Sequence, residues 1–370
     1  MDKFTSYISS KISVDPENYN FSDYPIFTER KIYDECRSLV VSQLSDLKGV
    51  SSVYSMGNVS APGISDLDFL IVVSPDFTEK DQLVSIFENL SKEHKYLAYC
   101  HFPYVAFTGQ VNDTLKILPL SNLNHEYGEN HNLEDHSYST DDYLIVLKEL
   151  IVLFYPNLFL EPILNKNIAV RNIIQKLNGL TFPITFAKEL GFTSEEFDAF
   201  EKNLKEIKSI AFDENQKEFN SKLVELLKLG LIISYRLIDF IDGIDNTKTT
   251  LKNTYSININ TIFVKNYSAT KSFRITYFAH RYLKFIPKLL PIKYAAIWFK
   301  TFNFLEKRSD LEVEDSQNEF LSRIQIYKDY MNKLSKTNLT EIVPYPFVYR
   351  LYGPESKFKK IIFKVYSIFS

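Results

Sequence analysis

Residues 57–73 read GNVSAPGISDLDFLIVV, and they constrain the chain more than any other stretch. Leu67 and the run Phe69 to Val73 have the make-up of a buried strand, yet Asp66 and Asp68 stand at its entrance. Charged groups avoid buried strands unless something pairs with them. Along a strand, residues i and i+2 share a face, so the two carboxylates are expected to project side by side while Leu67, Phe69 and Ile71 face a core. In an empty site one of two such neighbouring carboxylates has its pKa raised. A divalent cation removes the conflict, and hard oxygen ligands suit magnesium, which binds through one or two carboxylates plus substrate phosphates. Upstream, Gly57 lets the backbone approach a phosphate closely, and exposed amides with the Asn58 side chain are donors for it. The competing reading, an Asx-type turn leading into a strand, leaves Gly57-Asn58 and the spacing unexplained.

The surrounding periodicity supplies a frame. A helix is expected over residues 27–47, ended by Lys48-Gly49, then strands over 52–56 and 67–73 on either side of the turn. Thr78, with Asp81 at the capping-box position, is expected to start a helix running to about residue 94. Residues 96–108 and 114–120 read as two further strands. From Asp141 the pattern becomes helical, beginning with DDYLIVLKELIVLFY, whose acidic start suits the helix dipole. Further helices are expected over 193–210, 218–241 and 316–334, and a strand over 255–264. The fold expected is α+β: a mixed sheet with flanking helices in residues 1–140, followed by a mainly helical domain in residues 141–370.

The residues that carry the turn and the acidic pair also carry a family resemblance. Gly57-Asn58, then Pro62-Gly63-Ile64-Ser65-Asp66-Leu67-Asp68 and an apolar strand, resemble the signature of the polymerase-β-like nucleotidyltransferase superfamily. The motif covers residues 53–73, and the element order extends the resemblance to residues 27–120. It implies a nucleotidyltransferase-like sheet domain that transfers a nucleotidyl group from a nucleoside triphosphate. Asp66 and Asp68 would bind magnesium or manganese and position the nucleotide for attack on its α-phosphate. Gly57 and Asn58 would contact the triphosphate, with Ser65 in the serine place beside the acidic pair. Two departures stand out. The family prefers serine where this chain has Asn58, and many members carry a third carboxylate on a later strand, where TLKILPL offers Lys116. The third acid is therefore Asp113, a residue of the acidic segment described next, or absent. Absence leaves a two-carboxylate transferase or a catalytically inactive binding protein.

Charge is unevenly distributed in a chain of net charge -3. No acidic residue lies between Asp245 and Glu306, a segment holding ten Lys and Arg, whereas residues 125–142, HEYGENHNLEDHSYSTDD, hold none. The acidic segment reads as a solvated loop, since its histidines and carboxylates follow no established zinc spacing. The basic segment reads as a solvated face or an anionic acceptor site. The near-neutral whole favours a small-molecule or glycan-like acceptor over a long nucleic acid. At the C-terminus, SKFKKIIFKVYSIFS has the pattern of a basic amphipathic helix, suited to an anionic membrane surface or to packing on its own domain. Cys36 and Cys100 are the only cysteines, which excludes a disulfide framework and fits a reducing compartment. Without a secretory h-region or a long apolar run, a cytoplasmic location is expected. No P-loop or dinucleotide-binding glycine motif occurs.

Overall fold

The computed structural model describes residues 12–113, 122–131, 155–213, 215–248, 256–258 and 261–262, with single positions at 10 and within 140–151 and 326–339. In chain order, β1 (Asn20–Ser22) precedes α1 (Arg30–Ser45), β2 (Val50–Met56) and β3 (Asp68–Val73). Next come α2 (Lys80–Glu88), α3 (Lys92–Ala98), β4 (Tyr104–Phe107) and β5 (Leu123–Gly128). The later elements are α4 (Tyr155–Asn165), β6 (Asn167–Ala169), α5 (Val170–Gly179), α6 (Thr181–Glu189), α7 (Glu195–Ser209), α8 (Gln216–Lys248), β7 (Ser256–Asn258) and β8 (Thr261–Ile262). The chain is thus a mixed α+β protein, with a mixed sheet and flanking helices and a helical region after residue 195.

The described residues form two compact units. The first holds residues 26–131 together with those of 326–339. The second holds residues 12–25 together with those from 140 to 262. Among the described residues the chain passes from the first unit to the second between residues 131 and 140, and two segments depart from that order. Residues 20–22 add β1 in parallel to β6 in the helical unit. Tyr330 packs on Phe107 in the sheet unit, and its hydroxyl donates to the Val105 carbonyl at 2.8 Å. Such long-range pairings leave no periodic trace in a sequence.

In the sheet unit, strand order is β4-β3-β2-β5, with β3 parallel to β4 and β2 antiparallel to both β3 and β5. A parallel neighbour needs a long crossover, and α2 with α3 supplies it. Beyond Asp68 every residue of β3 is buried, because both faces of the strand are covered. Phe69, Ile71 and Val73 pack with Tyr33, Cys36, Val40 and Leu44 of α1 and with Leu83 and Phe87 of α2. Leu70 and Val72 pack with Tyr54, Ala106 and Val111 on the other face. The expectation that Leu67, Phe69 and Ile71 line the core holds.

Three local expectations are corrected. The single helix expected up to residue 94 is two, because the side chain of Ser91 accepts from the His94 amide and starts α3 afresh. Its first part begins at Lys80 without a capping box, since the Glu79 carboxylate accepts from the Lys48 amide instead. Residues 96–98, taken as the start of a strand, are therefore helical, and the strand is confined to Tyr104–Phe107. The start of the acidic segment is β5 and not a loop: it pairs along β2 as an edge strand with mostly exposed side chains, so no apolar alternation marks it. Residues 114–120 lie outside the described residues, as do most of the basic segment and the C-terminal 357–370. Of the strand expected over 255–264, β7 and β8 are described and form an antiparallel pair. No helix among the described residues is long and apolar enough to cross a membrane.

Candidate active site

Strand directions bring the sequence-marked residues to one end of the sheet. Gly57 follows β2 and Asp68 begins the antiparallel β3, with Met56 directly opposite Asp68. The parallel partner β4 starts at the same end, so the loop before it delivers His101 to the acidic pair. The His101 Nε2 lies 3.1 Å from Asp68 Oδ1, and its Nδ1 lies 2.8 Å from the Phe102 carbonyl oxygen. Both ring nitrogens face acceptors, and an imidazole satisfies two acceptors only when doubly protonated. Burial alone would lower the His101 pKa. The hydrogen bond and charge of Asp68, the Phe102 carbonyl and the more distant charge of Asp66 outweigh it and hold the pKa raised at about 9. Asp68 acts on the ring by direct contact, and Asp66 by its charge from farther off. His101 is a residue the sequence reading missed; its contact with Asp68 spans 33 positions and depends on the register of β4 against β3.

The turn between β2 and β3 is fixed from two helices. Gly57 and Gly63 have φ of +71° and +87°, in the region that favours glycine. The Gly57 amide donates to Asn122 O at 2.9 Å, so it is engaged in the sheet and does not supply a free donor. The Tyr33 hydroxyl of α1 accepts from the Gly63 amide at 2.9 Å and donates to the Ser65 carbonyl at 2.8 Å. From α3, the Tyr96 hydroxyl donates to the Gly63 carbonyl at 2.8 Å. Ser65 Oγ accepts from the Ala61 amide at 3.2 Å and so closes the turn on itself. Tyr33 and Tyr96 are positioning residues with no motif to announce them.

Beside the turn lies a cavity of about 520 Å³, whose wall includes Gly57, Asn58, Val59 and Ser60 together with Arg30, Arg37 and Glu126. That volume is in the range of small-molecule sites. The structure thus places Gly57 and Asn58 at a cavity. Asp66 and Asp68 sit half-buried at the same end of the sheet, and Ser65 is tied into the turn between these two groups.

Other acidic candidates do not join the pair. Asp113 follows β4, whereas Asp68 begins β3, and because these strands are parallel the two residues lie at opposite ends of the sheet. Asp113 lines a separate cavity of about 320 Å³ with Gly109, Val111, Asn112 and His131. Glu126 accepts from Ser55 Oγ at 2.5 Å, and the His125 ring packs on Tyr54, on the opposite face of the sheet from Ser55. Lys116 lies outside the described residues. Among the described residues no three His, Cys, Asp or Glu side chains cluster closely enough to hold a metal ion by themselves. Two carboxylates and a phosphate-bearing substrate form a different donor set, of the hard-oxygen type that suits magnesium. Comparison with known protein families, with curated proteins and with solved structures gave no match to this chain.

Proposed function

We propose that the sheet unit is a nucleotidyltransferase-like domain that transfers a nucleotidyl group from a nucleoside triphosphate to an acceptor hydroxyl or phosphate. The observation that carries this reading is the placement of Asp66 and Asp68 at the start of β3, at the sheet end that also bears the glycine turn and the cavity beside it. In the reaction, the acceptor oxygen bonds to the α-phosphorus as the bond to the bridging oxygen breaks. Pyrophosphate leaves with the electron pair, and a hydroxyl acceptor loses its proton to water. Magnesium or manganese, held by Asp66 and Asp68, would neutralise charge on the phosphates. The two carboxylates define where that charge gathers, and the Tyr33 and Tyr96 hydrogen bonds keep the turn rigid opposite them. In the metal-free protein His101 supplies the counter-charge to Asp68.

A small-molecule or glycan acceptor is favoured over a long nucleic acid by the net charge of -3. A cytoplasmic location, with peripheral membrane contact through the basic C-terminal residues, belongs to the same proposal. The second reading, a catalytically inactive binding protein, is favoured by His101 filling the place beside Asp68 and by the distance of Asp113 from it. The test is incubation with each labelled triphosphate, magnesium or manganese, and candidate acceptors, followed by assay of pyrophosphate. Metal-dependent release that Asp66→Asn and Asp68→Asn abolish is expected. Nucleotide binding without release would support the second reading, and neither binding nor release would overturn both.

A further inference from the structure

The chain leaves the helical unit at Pro25 and enters the sheet unit at Ile26. On the helical side the approach is pinned twice. The Asp23 carbonyl accepts from the Arg171 amide at 2.9 Å. Arg171 is the second residue of α5, so its amide has no acceptor within its own helix. The Tyr24 hydroxyl lies 2.9 Å from Asn220 Nδ2 and 3.1 Å from Asn220 Oδ1 in α8, and its ring packs on Phe219 of the same helix. Little between these anchors and Ile26 can flex. Asp23 has φ of +54°, a left-handed conformation that aspartate tolerates. Pro25 is buried and has a locked φ, and a residue before a proline, here Tyr24, is confined to extended backbone.

On the sheet side, Ile26 and Phe27 are 63% and 66% exposed, so side-chain burial does not fix this stretch. Its backbone is held instead. The Ile26 amide donates to the Tyr96 hydroxyl at 3.0 Å, and Thr28 Oγ1 donates to the Ile26 carbonyl at 3.1 Å. The same Tyr96 hydroxyl donates to the Gly63 carbonyl at 2.8 Å. Next along α3, the Leu97 carbonyl accepts from the Leu67 amide at 2.9 Å. Tyr96 and Leu97 therefore hold the chain on both sides of Asp66, and Tyr96 is also the anchor of Ile26.

We propose that residues 23–28 are a strap that couples the helical unit to the loop bearing Asp66. Loosening the hold of α8 on Tyr24 frees Ile26, weakens the engagement of the Tyr96 hydroxyl and so loosens residues 63–67. By linkage, a ligand that orders the loop tightens the strap by the same factor. The strap itself rests on these bonds alone, whereas its control of cation affinity at Asp66 and Asp68 rests on the nucleotidyltransferase reading.

The experiment is amide hydrogen exchange on the full chain, read by NMR at Ile26, at Leu67 and, as a reference, at Val40 in the buried stripe of α1. Asn220→Ala removes the Tyr24 hydroxyl's partner in α8. It is expected to speed exchange at Ile26 and at Leu67 by about fivefold, within the coupling that single positions carry, and to leave Val40 unchanged. In a Tyr96→Phe background, adding Asn220→Ala is expected to change nothing further at Leu67, because the shared hydroxyl is gone. A Leu67 amide indifferent to Asn220→Ala, a Leu67 response that persists in Tyr96→Phe, or an equal rise at Val40 would each overturn the strap. Titration with manganese alone then reads what the strap controls. Asn220→Ala is expected to weaken manganese binding by a similar factor, and to have no effect in the Tyr96→Phe background. Coupled exchange without any manganese binding would leave the strap standing and remove the metal from the transferase reading. Manganese binding indifferent to Asn220→Ala would overturn the strap's control of the site.

Discussion

The two ends of the four-stranded sheet carry similar chemistry in different settings. At one end His101 meets Asp68; at the other His131 lines a small cavity with Asp113, its Nε2 3.0 Å from Ser52 Oγ and its Nδ1 4.0 Å from Glu129. The second end has the outline of a nucleophile with a base and an acid. Ser52, however, is wholly buried, and its hydroxyl donates to the Glu129 carbonyl at 2.7 Å. With the one hydroxyl proton so committed, the His131 Nε2 is the donor to Ser52 and not a base for it. These bonds close the end of the sheet. At the first end the carboxylates stay half-exposed, the turn keeps unused donors, and the larger cavity opens beside it. The lesson is that residue types do not make a site; accessibility and uncommitted hydrogen-bonding capacity do.

Four measurements sharpen the contrast. The largest effect is expected on turnover: Asp66→Asn and Asp68→Asn should each reduce pyrophosphate release by a hundredfold or more, on the order of losing a key electrostatic group, whereas Asp113→Asn should leave it within about twofold. Comparable losses from Asp113→Asn would erase the distinction between the ends. Next, Tyr33→Phe leaves the Gly63 amide and the Ser65 carbonyl without their shared hydroxyl. Buried groups so abandoned cost about 1–3 kcal/mol, to be read from the urea midpoint. Ser52→Ala at the closed end should cost about 1 kcal/mol and leave nucleotide binding unchanged.

A smaller effect is expected with pH. The His101 pKa is raised in the folded state from 6.5 to about 9. Its contribution is therefore fully present below pH 6.5 and is lost as pH rises to about 9. The groups facing the ring are Asp68, Asp66 and the Phe102 carbonyl. In EDTA, wild type should lose stability across that window and His101→Gln should lose less, the difference being moderated by solvent because the side chain is 37% exposed. A profile that His101→Gln leaves unchanged would show that the imidazole does not carry the charge balance. The last contrast is in thiol labelling. Cys36 is buried, and burial pushes its pKa up to about 12 against a smaller opposing pull from Arg37, while Cys100, beside His101, is exposed. A thiol reagent should modify Cys100 in the native protein and reach Cys36 only on unfolding. Prompt labelling of both would show that α1 does not stay packed on the sheet.

The legibility of this fold followed burial. β3 stood out because covering on both faces makes a continuous apolar run, and Asp66 and Asp68 stood out against it. α1 and α7 were read nearly to their ends, since each buries one stripe; Ser194, whose side chain accepts from the Glu196 amide, caps the second. β5 was missed because an edge strand with exposed side chains gains its order from backbone pairing with β2. His101, Tyr33 and Tyr96 were missed for another reason. Each acquires its role through a contact or a shared cavity with residues more than 25 positions away, and no local pattern encodes such a meeting.

The two hydrogen bonds of the Tyr33 hydroxyl also act on binding kinetics. Because a single hydroxyl in α1 holds both the Gly63 amide and the Ser65 carbonyl, the loop leading to Asp66 has little conformational freedom left when a ligand arrives. Its ordering entropy is met during folding, and association need not wait for the loop to find its shape. Tyr33→Phe should therefore slow association and soften the selectivity of binding, even under conditions where the chain remains fully folded.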